Sequence, residues 1–152
     1  DSKINNIDGD IIDFNEFKGK YVLFVNVASK CGFTNQYSDL ERLHKQYKND
    51  LIVIGFPCDQ FGGQEPGDAK EIKSFCSRKF GVSFILTEKI NVKGPNKHPI
   101  YEWLTNKKLN NKFSSTVKWN FQKYLLDRNG ELLDYFYSTT VPSSKKIINY
   151  LN

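Results

Sequence analysis

At 152 residues, with 39% hydrophobic and 14% aromatic side chains, the chain is long enough to bury a substantial core and is expected to form one domain, residues 1–152. A net charge of +5 permits attraction to anionic lipid or an acidic partner, but the cations are dispersed and no recognition motif accompanies them, which argues against nucleic acid. No apolar run approaches the roughly 20 residues of a membrane-spanning helix.

The chain opens with Asp8-Gly9 between short apolar–polar stretches, the signature of a small hairpin over Ile4 to Phe14. Tyr21 to Val27 is an apolar, β-branched and aromatic run, and it predicts a fully buried strand. Small residues and Cys31 follow. Thr34 is the candidate N-cap of a helix carrying Tyr37, Leu40, Leu43 and Tyr47 on one face. Leu51 to Phe56 predicts a second buried strand, closed by Pro57. Cys58 to Gly67 is a shaped loop with paired glycines and a proline. Asp68 should cap a helix whose apolar face is Ile72, Phe75, Cys76 and Phe80, ended by Gly81.

Val82 to Thr87 alternates as a third strand. Ile100 to Leu104 reads as a short helix around Trp103, and Lys107 to Lys118 as a polar loop. Phe121 to Leu126 and Leu132 to Tyr137 flank Asn129-Gly130, a second hairpin signal. Pro142-Ser143-Ser144 opens a last helix with Ile147, Ile148 and Leu151 on one side. Alternating strands and helices imply right-handed parallel crossovers, and the closing hairpin adds antiparallel strands. The expected fold is α/β and thioredoxin-like: a mixed central sheet, helices on both faces and an N-terminal β-hairpin.

Three cysteines, Cys31, Cys58 and Cys76, are widely spaced and form no C-x-x-C pair, so neither a zinc site nor a secreted disulfide scaffold is indicated, and no cofactor or metal is expected. The pattern suits a reducing intracellular compartment, cytoplasmic or within an organelle. The absence of Met leaves room for a trimmed targeting segment. Cys31 sits where a buried strand ends and a helix is about to start, the edge at which open α/β sheets gather their reaction sites. It is either a nucleophile or a small buried hydrophobe. A thiolate needs N–H donors aimed at sulfur. Gln60 and Gln64 in the loop after the second strand, and Trp119 and Asn120 before the late hairpin, could supply them. Equally, Gln64 could be solvated, Trp119 core and Asn120 a turn former.

Three segments narrow these alternatives. Asn26-Val27-Ala28-Ser29-Lys30-Cys31-Gly32-Phe33-Thr34, Phe56-Pro57-Cys58-Asp59-Gln60-Phe61-Gly62-Gly63-Gln64-Glu65-Pro66-Gly67 and Lys118-Trp119-Asn120-Phe121-Gln122-Lys123-Tyr124-Leu125 resemble, in order, the signatures of the glutathione peroxidase family. The resemblance implies a thioredoxin-like fold and a peroxidase acting on hydrogen peroxide and on organic or lipid hydroperoxides. It gives Cys31 as the peroxidatic nucleophile, with Gln64, Trp119 and Asn120 as the donors around sulfur. One departure is Asp59, where the family usually has Asn. A carboxylate there would oppose a thiolate, so Asp59 is expected to point away or to fix the loop.

Cys76 falls where similar cysteine-type members keep a resolving cysteine, which implies a Cys31–Cys76 disulfide reduced by thioredoxin. The helix bearing it would have to unwind locally, a change that few strong caps are expected to oppose. Cys58 reads as structural. Tetrameric members of the resembled family carry a longer segment between the positions of Trp103 and Trp119, so the resemblance implies a monomer with an open site, able to make peripheral contact with phospholipid. The alternatives are a glutathione-dependent peroxidase and a peroxide-sensing relay that passes its disulfide to a client protein.

Overall fold

A computed structural model describes residues 3–152. Five strands form one sheet in the order β3-β2-β1-β4-β5. The strands are β1 (Tyr21–Val27), β2 (Leu51–Pro57), β3 (Ile85–Leu86), β4 (Lys123–Leu126) and β5 (Leu132–Phe136). The β3-β2-β1 half is parallel, and β4 and β5 are antiparallel additions. Buried on both faces, β1 and β2 must be apolar almost throughout, as their sequences are.

The period of two along β1 divides the core. Leu23, Val25 and Val27 join a layer with Tyr37, Leu40 and Leu43 of α1 (Gln36–Gln46), Ile72 and Cys76 of α2 (Ala69–Phe80), and Ile147 and Leu151 of α5 (Lys145–Leu151). Val22 and Phe24 face the other layer. That layer holds Phe17 of a 3₁₀ turn at Phe14–Phe17 and Ile100, Tyr101 and Leu104 of α3 (Pro99–Thr105). The sheet is therefore mixed, with helices on both faces.

Several local expectations change. The N-terminal hairpin is held by one bridge, Asn5 to Ile11, with Gly9 at φ +94 in its turn. Thr34 does not cap α1. Asn35 precedes that helix without a side-chain cap bond, and the Thr34 hydroxyl is used elsewhere. β3 is only two residues long because the Glu41 carboxylate, from α1, takes the Ser83 and Phe84 N–H groups at 2.8 and 3.3 Å. The polar segment after Trp103 contains a helical turn, α4 (Lys107–Asn110), capped by Asn106.

The largest correction concerns α2. Asp68 and Glu71 form a reciprocal capping box, and Gly81 closes the other end at φ +60. The Gly81 N–H reaches the Ser77 carbonyl at 3.0 Å, and the Val82 N–H reaches that of Cys76 at 3.2 Å. The helix carrying Cys76 is strongly capped at both ends, contrary to the expectation of weak caps.

Candidate active site

The Cys31 turn is built by Thr34. At the end of β1 the Thr34 hydroxyl donates to the Ala28 carbonyl at 2.9 Å, and the hydroxyl oxygen itself accepts from the Cys31 N–H at 2.8 Å. This clasp folds residues 28–34 into a closed turn and leaves Cys31 partly exposed. The Phe33 N–H donates to Cys31 Sγ at 3.3 Å. A main-chain donor is thus aimed at the sulfur without bonding it permanently.

The loop after β2 is bound to this turn by its main chain. The Lys30 N–H donates to the Gln64 carbonyl at 3.0 Å, and the Ser29 N–H to Glu65 Oε1 at 3.1 Å. Glu65 is 1% exposed, and burial pushes its carboxyl above the ordinary range. Asp59 accepts the Glu65 N–H at 2.9 Å, so it fixes the loop as expected of it. Gln60 is occupied inside the loop. Its Oε1 accepts from Val92 and Lys93 at 2.6 and 3.2 Å, and its Nε2 donates to the Lys93 carbonyl at 3.0 Å. It braces the loop and is no donor to sulfur.

The third component is the corner Trp119-Asn120-Phe121. Phe121 holds φ at +64, a conformation that costs a non-glycine residue on the order of 1–3 kcal/mol and needs outside support. Asn26 supplies two of the supports, donating to the Trp119 carbonyl at 3.0 Å and accepting the Phe121 N–H at 2.6 Å. The Phe121 ring is fully buried and packs edge-on against Tyr37 at 5.4 Å. So held, the corner aims Asn120 Nδ2 at Gln64 Oε1, 2.9 Å away. Trp119 lies over Gly62: a Cβ there would stand 3.3 Å from the indole, and the Phe61 and Trp119 rings are 5.7 Å apart.

Gln64, Trp119 and Asn120 thus come from distant parts of the chain to one sheet end, beside the Cys31 turn. Among the described residues none of the three donates to Cys31 Sγ, and Gln64 Nε2 and Trp119 Nε1 donate to no protein acceptor. Clefts flank the turn. One of about 580 Å³ runs between Ser29-Lys30 and α2 and carries Lys30, Lys70 and Arg78. A smaller one of about 250 Å³ lies between Phe33, Trp119 and Tyr137.

All three cysteines are free thiols. Cys76 is 1% exposed in the core layer under α2, beside the Tyr37 hydroxyl but outside formed hydrogen-bond geometry. Burial pushes its thiol up to about 11. Cys58 is fully buried at the end of β2, and burial raises its thiol as well. No group of three His, Cys, Asp or Glu among the described residues could hold a metal ion, and no helix there is long and apolar enough to cross a membrane.

Sequence reasoning missed three side chains of the site's framework: Thr34, Glu65 and Lys123. Lys123 is fully buried on β4, and burial lowers its ammonium to about 7. Its one signal in the sequence is a lysine, next to Gln122, at the start of the strand run that goes on through Tyr124, Leu125 and Leu126.

Residues 1–105 match the family model described as glutathione peroxidase. A glutathione peroxidase-like peroxiredoxin of Saccharomyces cerevisiae is 48% identical over 137 residues, covering 90% of this chain and 84% of the relative. A hydroperoxy fatty acid reductase of Synechocystis is 42% identical, covering 91% and 85%. The crystal structure of Trgpx in its apo form superposes with a TM-score of 0.74 at 39% identity, covering 98% of this chain and 92% of that one. A thioredoxin-family thiol:disulfide interchange protein of Chlorobium tepidum, at 12% identity, shares the fold with a TM-score of 0.69, covering 98% and 91%. The thioredoxin-like architecture expected from the order of elements is the one present.

Proposed function

We propose, because this chain belongs to the glutathione peroxidase family, that Cys31 is the peroxidatic nucleophile of its reaction and that Gln64, Trp119 and Asn120 are the donors around it. The chain is a thiol peroxidase that reduces hydroperoxides. The observation that carries the assignment is the Cys31 turn: a partly exposed sulfur at a strand end, with a main-chain N–H aimed at it.

The thiolate attacks the distal oxygen of the hydroperoxide. The O–O bond breaks, an S–O bond forms, and the leaving oxygen takes a proton to depart as water or an alcohol. The free N–H groups of Gln64 and Trp119 are available to the thiolate and to the departing oxygen. Donor contacts of this kind commonly tighten only in the reacting complex. Asn120 orients the Gln64 amide by occupying its oxygen.

Cys76 is the resolving cysteine in this account. Its sulfur displaces hydroxide from the sulfenic acid, a proton completes the water, and a Cys31–Cys76 disulfide remains for a dithiol protein of the thioredoxin type to reduce. Buried and raised to about 11, the Cys76 thiol reacts only when the helix around it opens. The burial and the strong caps of α2 favour a second reading, in which glutathione reaches the sulfenic acid first through the cleft lined by Lys30, Lys70 and Arg78. Cys76→Ser separates them: turnover driven by thioredoxin should fall to background, whereas undiminished turnover with glutathione would establish the second.

The protein acts as a monomer, its open clefts admit lipid hydroperoxides, and the Lys30, Lys70 and Arg78 side chains, which outnumber Glu65 and Glu71 in the larger of these two clefts, permit peripheral contact with anionic phospholipid. Three free thiols suit a reducing compartment.

A further inference from the structure

Lys123 stands on the face of β4 that meets α1, opposite Val25 on β1 and Phe136 on β5. A burial of this kind normally selects Leu or Met, and an ammonium there without a counter-ion is costly. No carboxylate pairs with it among the described residues. Its acceptors are an amide and a carbonyl, Gln36 Oε1 at 2.6 Å and the Ser138 main-chain oxygen at 3.3 Å. Gln36 Nε2 donates to that same Ser138 oxygen at 2.7 Å, so three groups close a small buried ring.

The ring leads to the candidate site. The Ser138 hydroxyl donates to the Asn120 carbonyl, which is the remaining support of the strained corner. Asn120 then holds Gln64, and Gln64 holds the Lys30 N–H next to Cys31. The two supports from Asn26 come from the β1 side of the corner, and the Ser138 support comes from the far side. Without it, the Asn120 peptide is fixed on one side only.

We propose that Lys123 is a positioning residue for the peroxidatic site, anchoring Gln36 and Ser138 so that Ser138 fixes the corner and Asn120 presents Gln64 beside Cys31. Lys123 touches no substrate and acts only through Asn120, a role that rests on the thiolate site proposed above. The cost of burying the ammonium is consistent with a group retained for geometry; its lowered pKa has the same origin, burial.

The test is a double-mutant cycle read on the second-order rate of Cys31 oxidation by hydrogen peroxide in a single turnover, with thermal stability followed in parallel. Lys123→Met and Asn120→Ala should each slow oxidation by about tenfold, and the double variant should be no slower than Asn120→Ala alone. A role confined to stability would lower the melting temperature and leave the folded protein's rate unchanged, or give effects that multiply. Either result overturns the proposal. If Lys123→Met does not fold, Ser138→Ala takes its place in the same cycle with the same expectation. A wild-type rate for Asn120→Ala would instead overturn the site reading beneath it.

Discussion

At the scale of single residues, the site is made by hydrogen bonds between positions far apart in the chain. Thr34 is the local exception: one hydroxyl serves both the Ala28 carbonyl and the Cys31 N–H. Thr34→Val keeps the shape and removes both bonds, leaving buried groups unpaired. It should cost about 1–3 kcal/mol in urea unfolding and slow peroxide oxidation of Cys31 as the turn loosens. Lys123 gives a pH signature. Its folded pKa of about 7 lies below the ordinary 10.5, so between those values the unfolded chain holds a proton that the folded chain has released. Stability therefore rises with pH across that window, and below about pH 7 the penalty is full, on the order of a few kcal/mol. Urea midpoints of the wild type should climb from pH 7 to pH 10 relative to those of Lys123→Met. Parallel curves would contradict the buried ammonium. Cys31 was legible as a reactive candidate because strand and helix signals bracket it. Thr34 was misread as a helix cap, since sequence shows that a hydroxyl sits near a helix start but not which carbonyl it finds. Lys123 and Glu65 were illegible, since Gln36, Ser138 and Ser29 become their partners only when the chain folds.

At the scale of elements, the proposed role of Cys76 would make α2 the gate between the two halves of the reaction. Each cap that stabilises it also opposes exposure of Cys76. Asp68→Ala removes the capping box and should destabilise the protein by about 1 kcal/mol. It should also speed formation of the Cys31–Cys76 disulfide after peroxide addition, measured by loss of free thiols in rapid-quench samples. An unchanged rate would mean that resolution does not depend on opening the helix from its N-terminal end. The extent of α2 was legible from Asp68 and Gly81. The strength of its capping is legible too, because Asp68 and Glu71 stand at the three-residue spacing of a capping box, and the expectation of weak caps does not follow from that spacing. β3 was overextended for another reason: the alternation from Val82 to Thr87 is real, but the N–H groups of Ser83 and Phe84 go to Glu41 of α1 and not to a neighbouring strand.

At the scale of the molecule, a five-strand sheet divides two apolar layers, and its β1–β2 carboxyl edge collects the Cys31 turn and the glycine loop. The apolar runs of β1 and β2, their alternation with helical segments and the two hairpin signals made this architecture legible, because the runs record burial on both faces and the alternation and turns record strand direction. The corner at Phe121 was not, since a left-handed phenylalanine leaves no mark in composition. With a net charge of +5, encounter with an acidic reductant protein should be steered electrostatically. Raising ionic strength from about 0.01 to 0.15 M shortens the screening length from roughly 30 to 8 Å, and should slow disulfide reduction by such a partner while leaving oxidation by uncharged hydrogen peroxide unchanged.

In the proposed cycle Cys31 takes the peroxide oxygen and Cys76 resolves it. One equivalent of hydroperoxide should be added to the reduced protein, followed by rapid quenching and peptide mapping of the three sulfurs. The account predicts early oxidation at Cys31, then a Cys31–Cys76 disulfide that thioredoxin removes, with Cys58 unchanged. Oxygen found first on Cys58 or Cys76, with Cys31 still a free thiol, would contradict it.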